Sequence, residues 1–385
     1  MVKPSTVIAS VPKETAPGER RVALVPELAS KLTAAGLEVQ VQFGAGVEAG
    51  FGDAEYQGKG ARLASDVFAN ADVVLKVRPP TADEIAKLRE ASVIIGLLEP
   101  YTSEAPIRLL AARQITSFAM ELMPRIARAQ PMDALSAMST VAGYKAVLLA
   151  ANRLPKFFPL LMTAAGTITP ARVFVVGAGV AGLEAIGTAK RLGAVVEAYD
   201  TRPAVKEEVQ SVGAQFVELS LDTKDAEERG GYARAESPEF YRKQQEMMVE
   251  HVAAADVVIT AALVRGRHAP VLITEEMVRG MRPGSVIVDL ASAQGGNCAL
   301  TEADKEVVKH GVTILGPTNL PSTMPFHSSQ MYARTVTNFL MHLLQDGKIC
   351  MDLDDEMTRA TLVTHQGEIV SDALQAIFGA APRDP

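Results

Sequence analysis

Residues 173–182 read Val-Phe-Val-Val-Gly-Ala-Gly-Val-Ala-Gly, a GxGxxG run directly behind four apolar residues. A helical pattern follows, with Val180, Leu183, Ile186 and Ala189 at spacings of three. Asp200 closes the next apolar run, roughly 20 residues further on. Each part has a physical job. Gly177 permits a tight turn, Gly179 lets a pyrophosphate approach the backbone, and Gly182 allows close helix–strand packing. The helix start then offers N–H groups and a positive dipole end to phosphates. Strand, turn, helix and acid together predict a dinucleotide-binding unit. The Asp200 carboxylate can accept a hydrogen bond from a ribose 2′-hydroxyl and repels a 2′-phosphate, which favours NAD(H) over NADP(H). Arg202 argues the other way, because an arginine there can greet a phosphate.

The surrounding pattern sets the fold class. From residue 172 the strand candidates are Arg172–Val176, Val195–Tyr199, Ala214–Leu219, Asp256–Ala262, Ser285–Leu290 and Val312–Leu315, with helical segments between them. The first third has the same rhythm. Apolar runs at Thr6–Ser10, Glu38–Phe43, Asp72–Val77, Val93–Leu98 and Ile115–Met120 alternate with helix-like stretches at Pro26–Ala35, Thr81–Glu90 and Ala105–Arg113. Repeated strand–helix–strand units predict mostly parallel sheets covered by helices, so the expected class is α/β with two Rossmann-like doubly wound domains. Ala134–Leu154 and Ser328–Gln345 read as long helices. The expected division is 1–134 plus 327–385 for a discontinuous first domain and 135–326 for the second, with both long helices bridging a cleft that holds the cofactor.

Composition narrows the function classes. The 385 residues are 48% hydrophobic, and 38 basic against 45 acidic side chains give a net charge of −7. No long basic run is present, so nucleic acid is not an expected partner. Cys298 and Cys350 have no metal-like spacing, which fits a reducing cytosol. No signal peptide is expected, because Pro4, Pro12 and the charged stretch Lys13–Arg21 interrupt the N-terminus, and no membrane span, because no window reaches about 18 consecutive apolar residues and Pro159, Gly166 and Pro170 punctuate the short apolar stretch Phe157–Ala171. Two decoys fail. Gly44-Ala-Gly46-Val-Glu-Ala-Gly50 has one residue too many and leads into Phe51-Gly52-Asp53, which reads as a turn with no helix behind it. Asp352-Leu-Asp354-Asp355 lacks the glycine that a calcium loop needs, Met357 standing there.

Two polar segments admit two readings each. Met123–Ser136 contains Arg125, Arg128, Gln130, Asp133 and Ser136; Asp133 or Ser136 can cap the following helix, or the group can hold a nicotinamide carboxamide and ribose. Asp222–Glu246, with Gly230-Gly231-Tyr232, is either a solvated loop and helix or a mobile lid. No histidine occurs in the first 250 residues. A dehydrogenase acting on an alcohol or amine needs a general base, so Lys76 and Arg21 are the remaining substrate-handling candidates in the first domain.

Several segments together resemble the alanine dehydrogenase and proton-translocating transhydrogenase superfamily: Val11-Pro-Lys-Glu, Arg20-Arg-Val-Ala-Leu-Val-Pro, Gly44-Ala-Gly46, the glycine run, and Met281-Arg-Pro-Gly-Ser-Val-Ile-Val-Asp289-Leu-Ala. Met123-Pro-Arg-Ile-Ala-Arg-Ala-Gln130 with Asp133, Ala142-Gly-Tyr144, Met162-Thr-Ala-Ala-Gly166 and Gly230-Gly-Tyr232-Ala resemble one branch closely, the NAD(H)-binding component of NAD(P) transhydrogenase. The resemblance implies a homodimer docked on an NADP(H)-binding component and a membrane-embedded proton-channel component. It implies a cytoplasmic location, peripheral to the membrane through those partners. Because the chain ends at Pro385 without a span, a free-standing subunit is expected. The implied nicotinamide contacts are Arg125, Gln130, Asp133 and Ser136. The implied remaining contacts are Gly177, Ala178, Gly179, Val180, Gly182, Asp200, Thr201, Arg202, Ala262 and Leu263, with a mobile loop at Gly231, Tyr232 and Ala233. No metal is implied. Where alanine dehydrogenases have a catalytic histidine and an active-site aspartate, this chain has Glu99 and Ala293. Losing that pair disfavours amino-acid chemistry, whereas hydride transfer between two nicotinamide rings needs no such pair. An alanine-dehydrogenase-like enzyme and a non-catalytic NAD sensor are the alternatives.

Overall fold

The structure is a computed structural model that describes residues 6–218, 227–228, 232–233, 237–264 and 266–378. The chain divides into two compact units, Met1–Met138 with Ser322–Pro385, and Ser139–Pro321. The divisions expected from the sequence stood at 134/135 and 326/327.

The first unit is built on an eight-stranded sheet. Its order is Glu368–Ile369, Leu362–His365, Thr116–Ala119, Val93–Gly96, Val73–Leu75, Ile8–Val11, Glu38–Gln42 and Arg62–Ala64. The six strands from the first 120 residues run parallel, in the chain order 3-2-1-4-5-6 of a doubly wound sheet. Leu362–His365 joins antiparallel beside Thr116–Ala119. The central strands read as unbroken apolar runs because helices cover both faces.

The second unit repeats the winding. Gln215–Phe216, Val195–Tyr199, Arg172–Val176, Val257–Thr260, Val286–Asp289 and Val312–Leu315 are parallel neighbours in that order, and Glu306–Lys309 pairs antiparallel at the edge. Arg172–Val176 and Val257–Thr260 thus flank the point where the winding reverses. In sheets of this kind ligands bind at that point, beyond the carboxyl ends of the strands.

Two expectations need correcting. First, among the described residues only the helix Ala134–Arg153 runs from one unit into the other, the division falling after Met138. The second long helix, Pro325–Leu343, lies wholly in the first unit. Its stripe of Tyr332, Val336, Phe339, Leu340 and Leu343 belongs to the same apolar core as Val11, Leu32 and Val39. Second, a helix does follow the glycine decoy. Gly44 and Gly50 adopt φ of +71° and +87° as a turn requires, and Asp53–Gly58 then forms a short helix. The Asp53 carboxylate accepts from the Gly44 N–H at 2.9 Å, tying that helix back to the turn. Separately, Ala134–Arg153 is by length and composition apolar enough to cross a membrane, which by itself does not overturn the expectation of no span. Here it is a packing helix: Ala146, Val147 and Ala150 are fully buried in the second unit's core.

Candidate nucleotide site

The glycine turn forms as its sequence demands. Gly177 has φ +93°, and a Cβ there would lie 2.8 Å from the Ala261 carbonyl carbon and 2.9 Å from the Ala262 nitrogen. Its N–H donates to the Tyr199 carbonyl at 2.8 Å, joining the turn to the neighbouring strand end. Gly182 sits in the first turn of the helix Val180–Arg191, where a Cβ would fall 1.9 Å from the Gly177 carbonyl oxygen. Gly179, the residue before that helix, differs. A Cβ there meets nothing nearer than Arg202 Nη2 at 3.9 Å. Gly177 and Gly182 are therefore required by the protein's own packing, whereas Gly179 leaves an open backbone face where a phosphate can approach. The first N–H groups of the helix have no partners within it and carry its positive end.

A further glycine supports this turn. Gly143, on Ala134–Arg153, would place a Cβ 2.1 Å from the Ala181 carbonyl oxygen, so that helix rests directly on the start of the phosphate-facing helix. The Ala142-Gly-Tyr144 segment of the family resemblance thus has a packing reason.

Asp200 and Arg202 are partners. The Asp200 Oδ1 accepts from the Arg202 backbone N–H and from Arg202 Nε, both at 2.9 Å. Its Oδ2 accepts from the Ala178 N–H at 2.8 Å and from Arg202 Nη2 at 2.9 Å. The carboxylate is thereby neutralised, so the simple contrast between a repelling acid and a welcoming arginine does not describe this arrangement. Thr201 lies between them, half-buried.

On the other flank, Ala262 and Leu263 follow the strand Val257–Thr260. The side chain of Asn297, fully buried, accepts from the Ala262 N–H at 3.1 Å and donates to the Ala262 and Pro270 carbonyls at 2.9 and 2.8 Å. Asp289, also fully buried, accepts from Thr260 Oγ1, the Ala291 and Cys298 N–H groups and Thr301 Oγ1. These two residues brace the loops beside the glycine turn, and neither role is evident from the sequence. Gly295 and Gly296, just before Asn297, adopt φ +98° and +84°.

The other expected contacts lie elsewhere in the chain. Arg125, Gln130, Asp133 and Ser136 belong to the first unit. Asp133 caps Ala134–Arg153: its carboxylate accepts from the Ser136 N–H at 2.8 Å and from the Ser136 hydroxyl. The capping reading therefore holds, and Arg125 and Gln130 in the same segment are exposed residues. The segment is pinned from below, where Asn338 Nδ2 donates to the Pro131 carbonyl at 3.0 Å and Arg128 pairs with Asp355. Tyr232 and Ala233 form a two-residue strand paired antiparallel with Glu227–Glu228. Gly231 lies outside the described residues.

The substrate-handling candidates are internally paired. Lys76 Nζ sits 3.2 Å from Glu14 and 3.0 Å from Glu84, and Arg21 grips Glu19 with Nε and Nη2 at 2.7 and 2.6 Å. Glu99 is held with φ +49°. Its N–H donates to Glu121 and its carboxylate meets Arg78 at 2.6 Å. Desolvation pushes the Glu121 carboxyl up to about 7, against the lowering effect of the Glu99 and Leu98 N–H groups that it accepts.

Comparison with known proteins agrees with this geometry. The family models "Alanine dehydrogenase/PNT, N-terminal domain" and "C-terminal domain" match residues 10–142 and 146–372. The chain belongs to the alanine dehydrogenase/PNT family. It is 50% identical over 376 residues to the first part of the NAD(P) transhydrogenase alpha subunit of Rhodospirillum rubrum, covering 95% of this chain and 98% of the relative. Among solved structures, a transhydrogenase from Sinorhizobium meliloti superposes with a TM-score of 0.86 at 44% identity, covering 94% of this chain and 100% of the other. An L-alanine dehydrogenase superposes with a TM-score of 0.82 at 26% identity, covering 97% and 99%. Membership of the alanine dehydrogenase/PNT family on the transhydrogenase side implies nicotinamide-nucleotide binding and an oxidoreductase role as one subunit of a larger assembly.

Proposed function

We propose that this chain is the NAD(H)-binding subunit of a proton-translocating NAD(P) transhydrogenase. In this reading it binds NADH and passes a hydride directly to NADP⁺ held by a partner component. A membrane-embedded component couples the exchange to proton movement, so the chain works at the cytoplasmic membrane face, as a homodimer. The observation that carries the reading is the glycine turn, with an open backbone face at Gly179, in a chain half identical to a transhydrogenase alpha subunit over nearly its full length.

The chemistry asks little of side chains beyond placement. Hydride leaves one nicotinamide C4 for another and no heteroatom loses a proton, so orientation and close approach dominate. The turn Gly177–Gly182 and the helix behind it hold the pyrophosphate, and Asp200, Thr201, Ala262 and Leu263 hold the adenosine side and flank, with Arg202 beside them on the Asp200 carboxylate. Arg125, Gln130, Asp133 and Ser136 orient the dihydronicotinamide, with the Asp133 cap fixing the backbone that presents them. Tyr232 and its neighbours close over the nucleotide.

The alternative, an amino-acid dehydrogenase, draws support from the likeness to an L-alanine dehydrogenase. Against it, Glu99 is tied to Arg78, and Ala293 offers no acid or base. Stopped-flow absorbance decides. Mixing this protein and NADH with a transhydrogenase NADP⁺-binding component should give fast NADH oxidation that requires both partners. Tight NADH binding without transfer, or reductive amination of pyruvate by this chain alone, refutes the assignment in favour of a sensor or a dehydrogenase.

A further inference from the structure

We propose that Arg202 is a specificity-determining residue that competes with the cofactor's ribose for Asp200. The inference rests on the reading of the glycine turn as an NAD(H) site. A carboxylate offers about four lone-pair positions, and four donors fill those of Asp200. Two are backbone N–H groups, of Ala178 and Arg202, fixed by the turn and by the start of the following segment. The other two come from the guanidinium, Nε on Oδ1 and Nη2 on Oδ2, in the planar two-pronged geometry that arginine forms with carboxylates. Both side chains are largely buried, with 12% and 6% exposure, so water replaces these bonds poorly.

The guanidinium thus contributes one donor to each carboxylate oxygen. A ribose 2′,3′-diol likewise carries two hydroxyl donors on adjacent carbons. Diol and guanidinium ask for the same two acceptor positions, and only the guanidinium can move without rebuilding the turn. Ribose recognition therefore exchanges one pair of donors for the other, and part of the binding energy goes into parting the ion pair. Selectivity follows from the same exchange. While paired, Asp200 is neutralised and repels a 2′-phosphate weakly; freed of the guanidinium, it repels it fully.

The test is calorimetric titration of the full chain with NADH and NADPH, using the unmodified protein, Arg202→Met, and Arg202→Met combined with Asp200→Asn. Arg202→Met should tighten NADH binding by about fivefold or more, because the ribose no longer has to part a largely buried ion pair. It should weaken NADPH binding, so the ratio of the two affinities widens. Adding Asp200→Asn should abolish both effects. Unmodified protein that binds no NADH overturns the site reading itself. Unmodified protein that binds NADH, with an Arg202→Met variant that binds it equally or more weakly, overturns only the competitor role and makes Arg202 a direct cofactor contact. Should Arg202→Met not fold, Arg202→Lys keeps the charge without the two-pronged contact. It must then tighten NADH by a smaller factor, or the proposal falls.

Discussion

Replacing Gly182 and Gly179 separately by alanine should divide stability from binding within one four-residue turn. A Cβ on Gly182 would lie 1.9 Å from the Gly177 carbonyl oxygen, where real Cβ contacts essentially never fall below 3.0 Å. The obstacle is backbone on both sides, so relief requires the helix Val180–Arg191 to withdraw from the strand by about 1 Å, a gap that forfeits up to half of each dispersion contact. That helix buries Ala185, Ile186 and Ala189 completely. Overpacking of this kind costs about 3 kcal/mol. For a unit of this size the loss corresponds to a fall in Tm of about 6–12 °C. The Gly179 position has φ −74° and no atom closer than 3.9 Å to an added Cβ. Gly179→Ala should therefore melt within about 2 °C of the unmodified chain. Its methyl group would nevertheless occupy the face that a pyrophosphate approaches, weakening NADH about tenfold or more. Scanning calorimetry with an NADH fluorescence titration reads both quantities. A Gly182→Ala protein that melts normally, or a Gly179→Ala protein that binds NADH normally, would falsify the division of labour drawn here.

Other perturbations probe the supports of the site. Gly143→Ala, whose Cβ would meet the Ala181 carbonyl at 2.1 Å, should cost about 2–3 kcal/mol and also weaken NADH, measured by urea unfolding and titration. Unchanged binding in a folded variant would show that the contact does not steady the phosphate-facing helix. Asn297→Ala strips hydrogen bonds from Ala262 and Pro270 in a fully buried position and should cost about 3 kcal/mol; a loss below about 1 kcal/mol refutes the bracing role. Glu121 bears on pH. Its folded-state carboxyl is raised to about 7, above the unfolded value of about 4.3. The folded chain therefore binds that proton more tightly. The associated stability is fully present below about 4.3 and is lost as pH rises through 7. Glu121→Gln should flatten the stability profile across that window, and urea midpoints that keep the same slope would dismiss the effect.

What was legible in the sequence follows from how local each constraint is. Arg172–Val176, Val195–Tyr199 and Val312–Leu315 are read to the residue because interior parallel strands are dominated by apolar, largely β-branched residues, broken here only by Arg172, Glu197 and Thr313. Glu306–Lys309 has no such run; it is an edge strand with Val308 mostly exposed. Leu362–His365 is hidden for another reason. Its partner Thr116–Ala119 is some 250 residues away, and the pair is sealed partly by hydroxyls, Ser117 against Thr364 at 2.7 Å. The predicted Ala214–Leu219 shrinks to Gln215–Phe216 among the described residues, where the strand stands at the outer edge of its sheet.

The same rule separates the components of the nucleotide site. Each glycine of the turn answers to atoms within a few residues or on an adjoining strand, so the motif carries its geometry with it. Asn297 answers to backbone groups of Ala262, 35 positions earlier, and nothing in the sequence marks that meeting. Asp200 and Arg202 show a subtler limit. Their types and spacing were plain, and each taken alone gave an opposite forecast of cofactor choice. The structure joins them in one neutral pair, and a neutral pair has neither the repulsion of a bare acid nor the attraction of a bare arginine. Nucleotide selectivity at this position therefore belongs to the energy of parting the two.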